Sequence, residues 1–196
     1  MTEESTIIPE ILARWSPRSF DATAMPAADL HTILDAAGRA ASAFNHQPWR
    51  FLISHNGDEH WERFVSLLVP LNQQWAGNAS VLIFLLSDTV IDLGSGAIPS
   101  RTHSFDAGAA WAHLALQATR LGYHCHAMAG VDFDRAREEL CVPDQFYIEA
   151  AIAIGRRAAV EFLPEPLRVR EIRSGRRKVE QGAFLGLYLV SEEAIE

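Results

Sequence analysis

Apolar positions recur along this chain with two different periods, and each change of period marks an element. A short opening helix is expected over residues 9–14, with Pro9 in the first turn, where its missing N–H costs nothing. Met25-Pro26-Ala27-Ala28-Asp29 leads into a second helix. There Leu30, Ile33, Leu34 and Ala37 fall at i, i+3, i+4 and i+7 and turn one apolar stripe toward a core. Residues 51–54 read as a strand and 61–68 as a helix stopped near Pro70. Val81-Leu82-Ile83-Phe84-Leu85-Leu86 is short, uninterrupted and rich in strand formers, the pattern of a central strand buried on both faces. Residues 87–100 read as an irregular loop, because Gly94, Gly96 and Pro99 break any period. The strongest helical pattern covers 106–121, with Ala107, Ala110, Trp111, Leu114, Ala115, Ala118 and Leu121 at helical spacing and Gly122 ending the run. Its many alanines allow close helix approach, as in a bundle centre or a subunit interface. A strand over 123–128, a helix over 134–140 and a small-residue strand over 149–155 follow.

Strands separated by helices indicate an α+β or three-layer arrangement. No repeat, low-complexity tract or linker divides the sequence, so residues 1–196 are expected to form one domain. The tail, 162–196, holds a basic segment and a final apolar run, 184–190. It is too apolar to hang in water and is expected to pack on its own body or on a partner subunit. At 48% hydrophobic and 21% charged, the chain has enough apolar content for a core. It has no run of about 18 apolar residues that would span a membrane. The acidic start, Met1-Thr2-Glu3-Glu4, does not have the form of a secretory signal. Cys125 and Cys141 are too far apart for a redox pair and too few for a disulfide framework, so a cytoplasmic location is expected.

A net charge of −8 argues against a dedicated nucleic-acid protein. The cations are nevertheless concentrated: Arg168, Arg170, Arg173, Arg176, Arg177 and Lys178 are opposed within their segment only by Glu171. Such a segment is either a solvated basic face or a seat for a small anion such as a phosphate. In Arg14-Trp15-Ser16-Pro17-Arg18-Ser19-Phe20, two arginines at i and i+4 with a hydroxyl between them either converge on one phosphate or complement a helix dipole. His124 and His126 share a strand face, with His103 and His113 elsewhere, but no third ligand stands at a recognised spacing and no metal is expected.

Residues 40–53 carry the most specific signal, a small polar turn, Ser42-Ala43-Phe44-Asn45, that runs through Gln47-Pro48-Trp49 into an apolar stretch. This closely resembles the Ser-x-x-Asn-x-Gln-Pro-Trp signature of the FMN-dependent nitroreductase-like family. Arg-x-Ser-x-Arg-x-Phe over 14–20 resembles the family's phosphate-binding opening, and Asn72-Gln73-Gln74-Trp75 its Asn-Gln-x-Trp segment, whose asparagine amide faces the flavin. Phe105-Asp106-Ala107-Gly108-Ala109-Ala110 resembles the start of its long interface helix. His126-Ala127-Met128-Ala129-Gly130-Val131-Asp132 resembles the turn beside flavin N5, with Ala129 where many relatives have glutamate and Val131 where the pattern has phenylalanine. The basic tail resembles a C-terminal phosphate clamp. Arg176 aligns with its arginine and Ser174 falls at its cation position, leaving Arg173 or Arg177 as substitutes.

The resemblance implies a three-layer α-β-α fold, a mostly antiparallel central sheet flanked by helices, in an obligate homodimer with FMN at the subunit interface. One subunit would supply Arg14, Trp15, Ser16, Arg18, Asn72, Met128, Ala129, Gly130, Arg176 and Arg177, and the other Ala41, Ser42, Ala43 and Asn45. The backbone N–H of Ala129 or Gly130 would meet N5. The implied activity is ping-pong hydride transfer from NADH or NADPH through N5 to a nitroaromatic, quinone or similar small acceptor, with 87–103 as a candidate lid. The alternative is a non-catalytic flavin-binding protein of the same fold. No nucleic-acid or membrane partner is expected.

Overall fold

The computed structural model describes residues 6–186. Its strands are β1 (Trp49–His55), β2 (Val81–Asp88), β3 (Val90–Asp92), β4 (Ala97–Pro99), β5 (His124–Met128) and β6 (Phe146–Gly155). Its helices are α1 (Pro9–Ala13), α2 (Ala27–Gly38), α3 (Trp61–Ser66), α4 (Pro70–Ala76), α5 (His103–Arg120), α6 (Phe133–Glu139) and α7 (Glu165–Arg168). The main sheet has the spatial order β1-β2-β6-β5, and all its pairings are antiparallel.

β2 is buried along its whole length, and its alternation divides two cores. Leu82, Phe84 and Leu86 pack with Phe64 of α3, Trp75 of α4 and Ala136 of α6. Val81, Ile83 and Leu85 pack with Ile33 of α2 and with Ala110 and Leu114 of α5. Helices therefore cover both faces, and the architecture is the expected three-layer α+β fold. Each fully buried Leu, Ile or Phe contributes about 1.5–3 kcal/mol. The predicted stripe of α2 is realised through Leu30, Ile33 and Ala37. The buried alanines of α5 let it lie close to α2, and Gly122, at φ +81°, ends the helix. Tyr123 ties this joint to α2 by donating its hydroxyl to Asp29 Oδ2 at 2.6 Å.

Three expectations change. Residues 87–100 are not an irregular loop: Ser87 and Asp88 complete β2, and β3 pairs with β4 in a small hairpin. Gly94 and Gly96 take positive φ in its tip, where their N–H groups donate to Asp92 Oδ1. Pro70 does not simply end a helix but opens α4 at its first position, which places Asn72 in that helix's first turn. β6 begins at Phe146 and not at 149: its register slips from Leu85↔Ala150 to Leu86↔Ile148, leaving Glu149 as an extra residue, and pairing continues to Asp88↔Phe146.

The first part of the tail packs on the body, with Leu163 and Leu167 buried in the first core. The run 184–190 lies beyond the described residues after Gly186. Cys125 is buried, which pushes its thiol far above the ordinary range, whereas Cys141 is exposed. Among the described residues no helix is long and apolar enough to cross a membrane.

Candidate functional site

Where α1 ends, the chain turns out of helical geometry at Arg14 (ψ 125°) and runs extended past β5. The basic tail returns across this stretch and is fastened to it by Glu171. Its buried carboxylate accepts from Arg18 N–H at 2.9 and 3.1 Å and from Ser19 N–H at 3.1 Å. The two segments enclose a cavity of about 270 Å³ lined by arginine side chains. Arg14, Trp15, Ser16, Arg18 and Arg176 border it as the sequence pattern implies, joined by Arg170, Ile172, Ser174 and His126. Arg14 Nη1 donates to Ser16 Oγ at 3.1 Å, and Arg18 Nη1 to the Arg170 carbonyl at 3.2 Å. Arg157 stacks over the Trp15 ring at 4.7 Å.

This cavity concentrates positive charge, which Glu171 offsets in part at Arg18. No ion pair engages Arg14, Arg18, Arg170 or Arg176 among the described residues, and Glu171 spends its oxygens on backbone amides. Burial, then Arg176 and Arg173, drive Arg14 below the usual arginine range; burial and Arg170 do the same to Arg18. Such a cluster suits a multiply charged oxyanion, which forked guanidinium donors bind well.

The substitute cations offered by the sequence do not line the cavity, although Arg173 lies close enough to act on Arg14. Arg173 donates to the carbonyls of Leu12 and Arg14, and Arg177 is exposed and borders no part of the cavity. Arg170 is the added cation, and Ser174 faces the cavity as a neutral donor. The local sequence held no sign of this choice, since the tie through Glu171 joins positions 153 residues apart.

β5 leads from the cavity to the second part of the site. His126 borders the cavity, donates through Nδ1 to the Pro17 carbonyl at 2.9 Å and lies against Trp75, with ring centroids 4.7 Å apart. Burial holds its pKa below the ordinary value despite that hydrogen bond. Met128 is buried in the first core, on the same face of β5 as His126, and Ala129 is exposed. Gly130 is wedged against α4: its carbonyl accepts from Val69 N–H at 3.0 Å and from Asn72 Nδ2 at 3.1 Å. A Cβ on Gly130 would lie 2.5 Å from Asn72 Nδ2 and 2.8 Å from Val69 Cγ2. Asn72 and the 128–131 turn are thus brought together as the motifs imply. Four residues of extended chain, about 13 Å, separate His126 from Gly130, room for an anionic end and a flat ring on one ligand.

Ala41, Ser42, Ala43 and Asn45 are not brought to this place. Their loop leads into β1, at the opposite edge of the sheet from β5. Phe44, Asn45 and Gln47 all take positive φ, at 54°, 55° and 51°, a strained backbone for such residues. Asp106, buried at the start of α5, holds the loop by accepting from Ala43 N–H at 3.1 Å and from Thr102 Oγ1 at 3.0 Å. Ser42 Oγ accepts from Gln47 N–H at 2.9 Å. Among the described residues, no three His, Cys, Asp or Glu side chains are grouped to hold a metal ion.

A family model described as the Nitroreductase family matches residues 11–156, which include the arginine loop, the strained loop, Asn72 and the 126–132 turn. The chain belongs to the nitroreductase family. This family member is 32% identical over 145 residues to an uncharacterized 15.4 kDa protein of Mycolicibacterium smegmatis, covering 70% of the chain and 95% of that protein. A solved structure described as an oxidoreductase containing FMN superposes with a TM-score of 0.92 at 49% identity, over 96% of both chains. A putative nitroreductase from Desulfovibrio desulfuricans, solved in complex with FMN, shares the fold at 22% identity, with a TM-score of 0.73 over 95% of this chain and 99% of the other.

Proposed function

We propose that this nitroreductase-family protein is an FMN-dependent oxidoreductase, working as a homodimer, that draws electrons from NADH or NADPH and passes them to quinones, nitroaromatics or similar acceptors. The observation that carries the reading is the arginine cavity at one end of β5, with the Gly130–Asn72 turn at the other. A phosphate at Arg14, Ser16, Arg18, Arg170 and Arg176 would be held by charge-assisted hydrogen bonds, and its ring would lie against the turn. When bound, FMN supplies two-electron redox chemistry, alternating between hydride donor and acceptor in a ping-pong cycle. The protein orients the ring, limits its access to water and presents the N–H groups of Ala129 or Gly130 to its edge.

The separation of the two motif sets supports a homodimer. In one chain the arginine cavity and the 41–45 loop flank opposite edges of the sheet, so a shared site takes the loop from a second copy. Phe44 and Phe105, 78% and 81% exposed, stand on either side of the Ala43–Asp106 hydrogen bond as apolar surface for such contact.

An absorption spectrum of the purified protein tests the reading, followed by anaerobic addition of NADH or NADPH. A flavin spectrum that bleaches on addition supports it. A flavin that does not bleach indicates a non-catalytic flavin binder, and a colourless protein that takes up no added FMN overturns the reading.

A further inference from the structure

β5 is an edge strand of the main sheet, and His124, His126 and Met128 share one of its faces. His126 borders the arginine cavity with its ring held in two ways. Nδ1–H donates to the Pro17 carbonyl at 2.9 Å, and the ring lies against Trp75, with centroids 4.7 Å apart. Nε2 is left over. It makes no hydrogen bond among the described residues, yet it is not sealed from solvent as His124 Nδ1 is, so it is the ring nitrogen open to the cavity.

The Pro17 carbonyl decides what that nitrogen is. A neutral imidazole that donates through Nδ1 carries its lone pair on Nε2. The lone pair would repel the oxygen of a bound phosphate, whereas Nε2–H of a protonated ring would donate to it. Which form prevails depends on the charges facing the ring. The 14–18 loop brings Arg14 and Arg18, and the tail brings Arg170, Arg176 and Glu171. His124 lies two residues back on β5, with Arg157 acting on it, and α4 supplies Trp75 and no charged residue. Burial acts most strongly and, with Arg18, opposes protonation; the Pro17 and Ser16 carbonyls and Glu171 favour it. With the protein's own charges alone, the neutral ring prevails at neutral pH.

A phosphate monoester reverses that balance. A sphere of 270 Å³ is only about 4 Å in radius, so an anion inside it falls within the range at which an opposite charge favours the protonated ring. We infer that His126 is a fifth cation of the phosphate site, taking a solvent proton onto Nε2 as the monoester enters and returning it as the monoester leaves. The inference rests on the flavin reading above and adds to it a coupling between proton and cofactor. The arginines are charged throughout, whereas the charge on His126 arrives with the ligand and adds no repulsion to the unliganded protein.

Calorimetric titration of FMN into the full chain, stripped of flavin, tests this in two buffers of different ionisation heat. At pH 7 the wild type is expected to take up about half a proton or more per FMN, and its affinity should rise about fivefold from pH 8.5 to pH 6.5. His126→Gln is neutral throughout and should take up none, with affinity level or slightly falling over that range as the phosphate itself gains a proton near pH 6. Riboflavin, which has no phosphate, should bring no proton with it. If His126→Gln fails to fold, ¹⁵N NMR of the wild-type imidazole decides: at pH 7 its Nε2 signal should move toward the protonated position when FMN binds. FMN binding without proton uptake, equal uptake by His126→Gln or with riboflavin, or an imidazole signal unmoved by FMN overturns the inference and leaves the flavin reading standing. A wild-type chain that binds no FMN overturns that reading, and this inference with it.

Discussion

Four arginines around one small cavity, offset in part by Glu171 beside Arg18 but by no ion pair among the described residues, are costly to assemble unless an anion joins them. Arg14→Ala is therefore expected to weaken FMN binding roughly 10- to 100-fold, the equivalent of about 1.5–3 kcal/mol for a charged hydrogen bond. Flavin fluorescence titration of the apoprotein measures it. The thermal midpoint of that apoprotein should hold or rise, since removing a guanidinium relieves the repulsion from Arg176 and Arg173. Gly130→Ala works the other way. The added methyl meets Asn72 and Val69, so loss of stability by about 1–3 kcal/mol in urea unfolding and loss of bound flavin are expected together. Arg14, Ser16, Arg18, Asn72 and Gly130 could be picked out from motifs because each lies in a short, ordered pattern. Arg170 and Ser174 could not, since nothing periodic in 168–178 distinguishes inward from outward cations. Glu171 makes that choice by reaching across to Arg18 and Ser19.

At the scale of elements, helices and central strands followed from apolar spacing, and the failures came where backbone geometry replaced periodicity. The glycines of 87–100 read as breakers, yet they serve the tip of a hairpin whose strands are only three residues each. The bulge at Glu149 was invisible because one extra residue leaves no compositional mark. The strained 42–47 loop depends on α5 through a single buried carboxylate. Asp106→Ala removes the acceptor for Ala43 N–H and Thr102, with an expected cost of about 1–3 kcal/mol. The sharper consequence is weakened FMN retention, read by the free flavin that passes a desalting column, while the far-ultraviolet circular dichroism is unchanged.

For the whole molecule, the separation of the two motif sets makes a complementation experiment decisive. A chain carrying Arg14→Ala and Arg18→Ala, co-expressed with one carrying Asp106→Ala, should form heterodimers with one intact site. That site joins the arginines of the second chain to the loop of the first. If the protein pairs as proposed, recovery of about one FMN per heterodimer is expected, where each parent variant alone binds poorly. Acid should also loosen the fold. Burial lowers the pKa of both His124 and His126 from the ordinary 6.5, so the unfolded chain binds protons more readily than the folded one. Their contribution is complete above 6.5 and is lost as pH falls through the folded-state values. The urea midpoint of the apoprotein should therefore drop between about pH 7.5 and about pH 5.5, and replacing both histidines with glutamine should flatten that drop.

The opposite surroundings of the two sulfhydryls give the protein a built-in counter. With Cys125 sealed beneath α5 and Cys141 open to solvent, a chromogenic disulfide reagent should report one equivalent per native chain and a second only on denaturation. The outer sulfur is thereby a natural single attachment point for a dye, through which energy transfer between two labelled copies could follow their pairing without any engineered handle.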